Sequence, residues 1–162
     1  MKTTRYPKAG QSKTRPPNPL VRRIAEQDLL IMGLSARAYL MEQRAKALKL
    51  ALDVRQSNHE GVIVDWIQEA MAKASAVVIN AGAYAHSSIA IRDAVAALPV
   101  PVIEVHLTNI YAREGFRRTS LLGQVTRGSI IGFGPLSYVL ALDAAAHLCK
   151  GAAASPAKGQ IQ

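Results

Sequence analysis

The sequence predicts a doubly wound α/β domain, with a parallel sheet of about five strands and helices on both of its faces. Short apolar runs alternate along the chain with amphipathic segments of about 10–15 residues, which is the pattern of βαβ units. Polar residues follow several of the apolar runs, at the strand ends where such sheets bind ligands. The 162 residues are 49% hydrophobic and 5% aromatic, which suits one core rich in Ala, Val, Ile and Leu.

Each predicted element rests on its own local pattern. The strands are short apolar or alternating runs, and we predict them at Leu29–Met32, Leu50–Arg55, Ala76–Asn80, Pro101–Leu107 and Ser129–Phe133. The helices show helical spacing of apolar residues or follow a capping or turn residue, and we predict them at Ala36–Lys49, Gly61–Lys73, Ser88–Leu98 and from Pro135 to about Lys150. Residues 108–118 are polar and irregular, with a helical turn. This order of elements predicts a flavodoxin-like topology.

Charge and composition divide the chain into three parts. Residues 1–24 contain seven Lys and Arg side chains and no acidic residue. They therefore account for seven of the nine net positive charges of the chain. We interpret them as a basic, Pro-containing leader that is disordered and solvated, residues 25–150 as the folded domain, and residues 151–162 as a flexible tail. An arm that contacts nucleic acid or a membrane stays open as a disfavoured alternative for the leader. Its four prolines disfavour the helix of a transit peptide.

Composition also limits the location and the cofactors. No apolar run reaches the ~18 residues of a membrane-spanning helix, so we expect a soluble protein without a membrane partner. Cys149 is the single cysteine, which fits a reducing cytoplasm. The histidines lack the spacing of a zinc site, and no glycine-rich nucleotide motif is present, so we expect no metal and no cofactor. We interpret His147 and Cys149, in the last helix, as packing residues.

Glu104 and His106 form the first candidate for catalysis. Residues two apart on a strand point to the same face, so the carboxylate lies beside the imidazole. A carboxylate in this position can orient the ring and favour its protonated form, which is a proton donor near neutral pH. The alternative is a structural ion pair at a strand end.

A second group of polar residues follows the third predicted strand. Asn80 and His86 could hydrogen-bond hydroxyl groups of a ligand, and Gly82 allows the backbone to approach it closely. Ser87 or Ser88 fits the capping position of the helix that follows.

A third group follows the fourth strand. Thr108 and Asn109 could hold a carboxylate through backbone N–H groups, although this pair is also common in turns. If the segment is helical, Arg113 and Arg117 lie on one face and suit a small anionic substrate. The alternative is a solvated basic face, which is our interpretation of Arg118.

Four segments together resemble the signature motifs of the type II 3-dehydroquinate dehydratases. The family is identified from RQSNHEG at 55–61, INAGAYAHSSIAIRDA at 79–94, PVIEVHLTNIYAREGFRRTS at 101–120 and GSIIGFGPLSYVLAL at 128–142. Their order and spacing hold over about residues 36–148. The resemblance implies a flavodoxin-like fold, a dodecamer built as a tetramer of trimers, and anti elimination of water from 3-dehydroquinate to 3-dehydroshikimate. It implies no metal or organic cofactor.

The resemblance also implies a role for each matching residue. His106, supported by Glu104, would protonate the departing C1 hydroxyl. Arg113 would lower the pKa of the base. Asn80 would bind the substrate, and Gly82 would shape its loop.

Further residues would bind the substrate through the same resemblance. His86 and Arg117 would hold ring hydroxyls. Leu107 and Thr108 would bind the carboxylate, mainly through backbone N–H groups. Asp93 would reach into the site of a neighbouring subunit.

The family's tyrosine base has no counterpart in this sequence. The family carries it in a strand and loop before residue 36, and by spacing it would fall near Leu29 or Leu30. Tyr6 lies in the leader and Tyr39 in the first predicted helix, so neither matches the motif. The sequence leaves open a divergent or a misread N-terminal segment. It therefore also leaves open an alternative function, an impaired homologue that binds a quinate-like ligand or acts as an oligomeric scaffold.

Overall fold

Five strands form one parallel sheet in the computed structural model, which describes residues 28–32 and 38–154. The predicted leader and most of the predicted tail lie outside these residues. The strands are β1 (Asp28–Met32), β2 (Ala51–Arg55), β3 (Ala76–Ile79), β4 (Val102–His106) and β5 (Gly128–Ile131). Their order in the sheet is β2-β1-β3-β4-β5, and every neighbouring pair is parallel. The strand order reverses between β1 and β3, so the prediction of a doubly wound sheet is confirmed.

Four α-helices cover the two faces of the sheet. They are α1 (Ala38–Leu48), α2 (Glu60–Lys73), α3 (Ile89–Ala96) and α4 (Leu136–Ala154). On one face α1 and α4 pack together, and on the other α2 and α3 do. The chain therefore builds a three-layer domain whose two cores are separated by the sheet.

Alternation along β3 and β4 explains why there are two cores. Val78 and Val105 enter the cluster beneath α1 and α4, with Leu142 of α4. Val77 and Val102 enter the cluster beneath α2 and α3. All of β3 and β4 is buried, as expected for central strands of a parallel sheet. Burial of a side chain of this size contributes about 1.5–3 kcal/mol.

The predicted helices and strands all exist, and most of their ends shift by one or two residues. The last helix continues to Ala154, whereas we predicted its end at about Lys150 and a loose chain from Gly151. Three successive alanines after Gly151 explain the difference, because alanine has the highest helix propensity. Residues 108–118, predicted to be irregular with a helical turn, contain two separate 3-10 turns, Ile110–Ala112 and Gly115–Arg117. Within the portion of the chain that the structure describes, no helix is both long and apolar enough to cross a membrane.

Candidate active site

The carboxyl end of β4 carries a buried carboxylate–imidazole pair. Glu104 and His106 lie on the same face of the strand, as predicted, and Nε2 of His106 is 2.8 Å from Oε1 of Glu104. Because an ionised carboxylate only accepts hydrogen bonds, Nε2 is the nitrogen that carries the proton. Nδ1 has no hydrogen-bond partner among the residues described. The ring can therefore gain or release its second proton at Nδ1.

Glu104 is only 1% exposed, yet it is ionised. Burial by itself would raise the pKa of this carboxyl group. Hydrogen bonds from His106, Ser120 and Ser129 outweigh burial and hold the pKa below its ordinary value. The hydroxyl of Ser120 donates to Oε1, and that of Ser129 donates to Oε2 over 2.9 Å. Two hydroxyl groups and one imidazole thus hold a negative charge inside the domain.

The sequence did not single out these two serines, because each is distant from Glu104 along the chain. Ser129 faces Glu104 across the β4–β5 ladder, and Ser120 lies in the segment that precedes the 3-10 turn Leu122–Gln124. The backbone N–H of Gly123 donates to Ser120 Oγ over 3.0 Å. A Cβ atom at Gly123 would lie 3.1 Å from Glu104 Oε2, so any other residue there would make the carboxylate shift by a few tenths of an ångström. Strand pairing and a short loop build this part of the site.

His86 lies beside His106. It ends the 3-10 helix Gly82–His86, and its ring stacks on that of His106 with the centroids 5.7 Å apart. Nδ1 of His86 is 2.9 Å from the backbone oxygen of Thr119. A carbonyl oxygen only accepts, so Nδ1 is protonated and Nε2 of the neutral ring is an acceptor. His86 can therefore accept a hydrogen bond from a ligand hydroxyl, as the sequence indicated.

The Asn80 side chain is fixed from two sides. Its Oδ1 accepts from the backbone N–H of Gly82 over 3.2 Å, and its Nδ2 donates to the hydroxyl of Tyr138 over 2.9 Å. Gly82 has φ +57°, a left-handed conformation that glycine adopts without strain. Ser88 caps α3, because its Oγ accepts from the N–H of Ile91 over 2.9 Å. The sequence does not indicate this role of Tyr138, because an apolar helix pattern gives no sign of a partner 58 residues away.

The condition under which Arg113 and Arg117 would share a helical face is not met, since one 3-10 turn ends before Arg113 and another begins after it. The two guanidinium groups still lie close to each other, because both contact Glu114, at 3.3 Å and 2.8 Å. A hydrogen bond from its own backbone N–H and one from Arg117 lower the pKa of Glu114 to about 2. Arg113 also lies 3.4 Å from the hydroxyl of Thr108, which is exposed at the end of β4.

Asp93 is not brought to this cluster within the chain. Its side chain lies on α3, is 62% exposed and pairs with Arg92 over 2.8 Å. Leu107, by contrast, directly follows His106, and its carbonyl accepts from the N–H of Gly134 over 2.9 Å.

Two expectations about the last helix have different outcomes. His147 is exposed and is not a packing residue; with Arg127 it lines a cavity of about 280 Å³ beside β5. His147 lies on the outer face of α4, while its neighbours Ala146 and Leu148 still pack against the α1/α4 core. Cys149 is half-buried against the α1/α4 core, and its Sγ lies 3.5 Å from the carbonyl of Ser75. Burial raises the pKa of its thiol. No cluster of three or more His, Cys, Asp or Glu side chains suited to a metal ion occurs among those described.

The fold and the site together define a class: a doubly wound α/β domain with a buried imidazole–carboxylate pair at the carboxyl edge of its sheet. The chain belongs to the class II dehydroquinase family, whose family model matches residues 31–146. The resemblance inferred from the sequence is thereby confirmed.

Similar proteins extend this result. A 3-dehydroquinate dehydratase of Mesorhizobium japonicum is 57% identical over 114 residues, which cover 70% of this chain and 79% of that protein. One of Halalkalibacterium halodurans is 47% identical over 127 residues, covering 76% and 88%. The crystal structure of type II dehydroquinase from Propionibacterium acnes superposes with a TM-score of 0.68 at 34% identity, covering 75% of this chain and 98% of that one. That from Butyrivibrio crossotus gives 0.69, also at 34% identity, covering 74% and 97%.

Proposed function

We propose that this chain is a 3-dehydroquinate dehydratase, a hydro-lyase that converts 3-dehydroquinate to 3-dehydroshikimate by anti elimination of water. The observation that carries the proposal is the buried pair of Glu104 and His106. It leaves Nδ1 of the imidazole open at the carboxyl edge of the sheet, beside His86. Relatives named 3-dehydroquinate dehydratase, whose sequences are about 50% identical to this chain, support the same activity.

His106 supplies the acid half of the elimination. A base removes the proton at C2, next to the C3 carbonyl group, and the electrons of that bond form the C1–C2 double bond. The C1–O bond breaks as His106 delivers a proton from Nδ1 to the departing hydroxyl, which leaves as water. Glu104 keeps the ring oriented and stabilises its charged form before the transfer. We assign no base among the residues described.

Other residues near the pair bind the substrate in this proposal. His86 accepts a hydrogen bond from a ring hydroxyl at Nε2, and Asn80 binds another polar group beside the loop that Gly82 shapes. Leu107 and Thr108 hold the carboxylate through backbone N–H groups. The N–H of Thr108 donates to no described residue, which supports this role.

Two arginines complete the proposed binding site. Arg117 holds a ring hydroxyl, and Arg113 adds positive potential that favours an ionised base. Their shared contact with Glu114 keeps the two guanidinium groups close to each other. Guanidinium groups suit an anionic substrate, because they carry a positive charge and can donate two hydrogen bonds to one carboxylate.

An absorbance assay for the conjugated enone product tests the function. The wild-type chain is expected to form dehydroshikimate, and His106→Ala is expected to lose at least about 10²–10⁴ of the rate, which is the usual share of a general acid. His147→Ala is the matched control, since His147 is exposed on α4. Full activity in His106→Ala, or equal losses in both variants, would contradict the role of His106.

We also propose that the chain assembles as a dodecamer of four trimers, in which Asp93 completes a neighbouring site. The outward position of Asp93 supports this, as do exposed large apolar side chains such as Phe116 and Phe133. Native mass measurement tests the assembly. Mixing Asp93→Ala with His106→Ala should restore part of the activity if the two residues act in different chains. No recovery in mixed oligomers would reject the shared site.

We place the protein in the cytoplasm, since a single cysteine fits a reducing compartment. The reaction belongs to the shikimate pathway or to quinate catabolism. Both use the same substrate and product, so the chemistry of the site suits either.

A further inference from the structure

The first turn of α4 lies against the ends of the two central strands. It supplies two consecutive buried polar residues, Ser137 and Tyr138. Ser137 Oγ lies 3.3 Å from the carbonyl oxygen of His106, to which it donates. The Tyr138 hydroxyl accepts from Nδ2 of Asn80 over 2.9 Å. One helical turn thus contacts the strand end that carries the acid and the strand end that carries the candidate binding amide.

The contacts of Asn80 determine how its amide is presented. The N–H of Gly82 can only donate, so the amide group facing it must be Oδ1. The hydroxyl of Tyr138 holds Nδ2 on the other side and fixes the rotation of the amide plane. One N–H of Nδ2 and one lone pair of Oδ1 remain for a ligand. Without the Tyr138 hydroxyl, Nδ2 would face a buried aromatic ring with one donor unsatisfied.

Tyr138 is suited to a fixed role of this kind. It is 4% exposed, so its ring is held in the α1/α4 core and has little freedom to turn. Burial raises the pKa of its hydroxyl, and the hydrogen bond from Asn80 offsets only part of that effect. The hydroxyl is therefore neutral and is not a replacement for the missing tyrosinate.

We propose that Tyr138 is a positioning residue for substrate binding, which acts by holding the Asn80 amide in the orientation that meets a substrate hydroxyl. The inference rests on the proposed function, because it assumes that Asn80 contacts 3-dehydroquinate. It extends that function to a residue that does not itself contact the reacting atoms.

The test is a double-mutant cycle between Tyr138→Phe and Asn80→Ala in the full-length chain. Tyr138→Phe removes only the hydroxyl. It is expected to raise KM about threefold to tenfold, the range of one net hydrogen bond, with kcat changed less than about twofold. In the Asn80→Ala background the same substitution should leave KM unchanged, since the amide it positions is gone. The dissociation constant of 3-dehydroquinate, measured by calorimetry with both proteins in the His106→Ala background, where turnover is slowed, should follow KM.

Tyr84→Phe is the matched control. It also removes a phenol hydroxyl, from the 3-10 helix Gly82–His86, but the partner of that hydroxyl is the backbone carbonyl of Asn58, at 3.1 Å. KM should stay at the wild-type value in this variant.

The outcomes distinguish failure of the inference about Tyr138 from failure of the proposed function. Wild-type turnover with an unchanged KM in Tyr138→Phe would overturn the inference alone. Equal rises in KM with and without the Asn80 amide would also overturn it, because they would show a general packing effect. A wild-type chain that neither turns over nor binds 3-dehydroquinate would overturn the proposed function, and the inference with it.

Discussion

The imidazole rings of His86 and His106 stack at an interplanar angle of 25°, with their centroids 5.7 Å apart. The two histidines come from different segments, one from a 3-10 helix after β3 and the other from the end of β4. Each ring has one nitrogen held by an acceptor, Thr119 O for His86 and Glu104 for His106. The other nitrogen of each ring has no hydrogen-bond partner among the described residues. In the proposed reaction both nitrogens face one substrate, and the stack orients the ring from which His106 donates its proton.

Two substitutions of His86 should distinguish the kinetic effect of the ring stack from that of the hydrogen bond. His86→Phe retains an aromatic ring against His106 but loses the acceptor, so KM should rise while kcat changes little. His86→Ala loses both, and kcat should fall a further twofold to tenfold, in line with about 0.5–1.5 kcal/mol for an aromatic pair. Steady-state kinetics of both variants measure this. Equal kcat values would show that the stack does not orient His106.

Acid should destabilise the wild type more steeply than Glu104→Gln. The folded-state pKa of Glu104 is lowered, so its ionised form contributes stability that is fully present above the ordinary carboxyl pKa of about 4.5. That contribution is lost as the pH falls through the lowered pKa. Urea unfolding between about pH 2 and pH 6 gives the difference between the two proteins. Glu69 and Glu114, whose pKa values are also lowered, are unchanged in both and cancel. Parallel pH profiles would mean that folding does not lower the pKa of Glu104.

Removal of a serine donor from Glu104 should weaken both the fold and the reaction. Ser129→Ala leaves the buried carboxylate one hydrogen bond short, which should cost about 1.5–3 kcal/mol of unfolding free energy. We expect kcat to fall as well, because the carboxylate then holds His106 less firmly. Ser87→Ala is the control, since Ser87 is exposed and donates only to the carbonyl of Ala83 over 3.3 Å. If both variants unfold at the same urea concentration, Ser129 has no special part in holding Glu104.

Lys49→Gly should stabilise the protein. Lys49 ends α1 with φ +60°, the left-handed conformation that costs an L-residue about 1–2 kcal/mol and suits glycine. The next N–H, of Leu50, closes the turn on the carbonyl of Ala45 over 2.8 Å. Chain entropy offsets part of the gain, so we expect an increase of about 0.5–1 kcal/mol in unfolding free energy. Lys46→Gly, within the helix, should instead lose about 1 kcal/mol. A loss in Lys49→Gly would mean that the lysine side chain stabilises the turn.

The sequence predicted what depends on local patterns. Alternation and helical spacing located the five β-strands and four α-helices of the described residues, and the motifs pointed to the family. It also placed Glu104 beside His106, since a strand has a fixed period of two. None of these features depends on contacts between residues that are distant in the sequence.

Contacts made only by tertiary pairing could not be predicted. Ser129 meets Glu104 through the register of a strand pair, and Tyr138 meets Asn80 through the packing of a helix on the sheet. No local signal marks either residue. The left-handed turn at Lys49 also gave no sign, because the sequence has no glycine there.

β5 lies at an edge of the five-stranded sheet, and we expect this position to determine which part of the site opens first on heating. An edge strand of four residues, paired on one side, opens more readily than the central strands do. When β5 opens, Glu104 loses Ser129, and His106 loses the N–H of Gly132 that donates to its carbonyl over 3.1 Å. Proton delivery should then stop while the rest of the domain is still folded. Backbone amide exchange in β5 should therefore speed up in the same temperature range in which turnover declines, below the melting of β3 and β4.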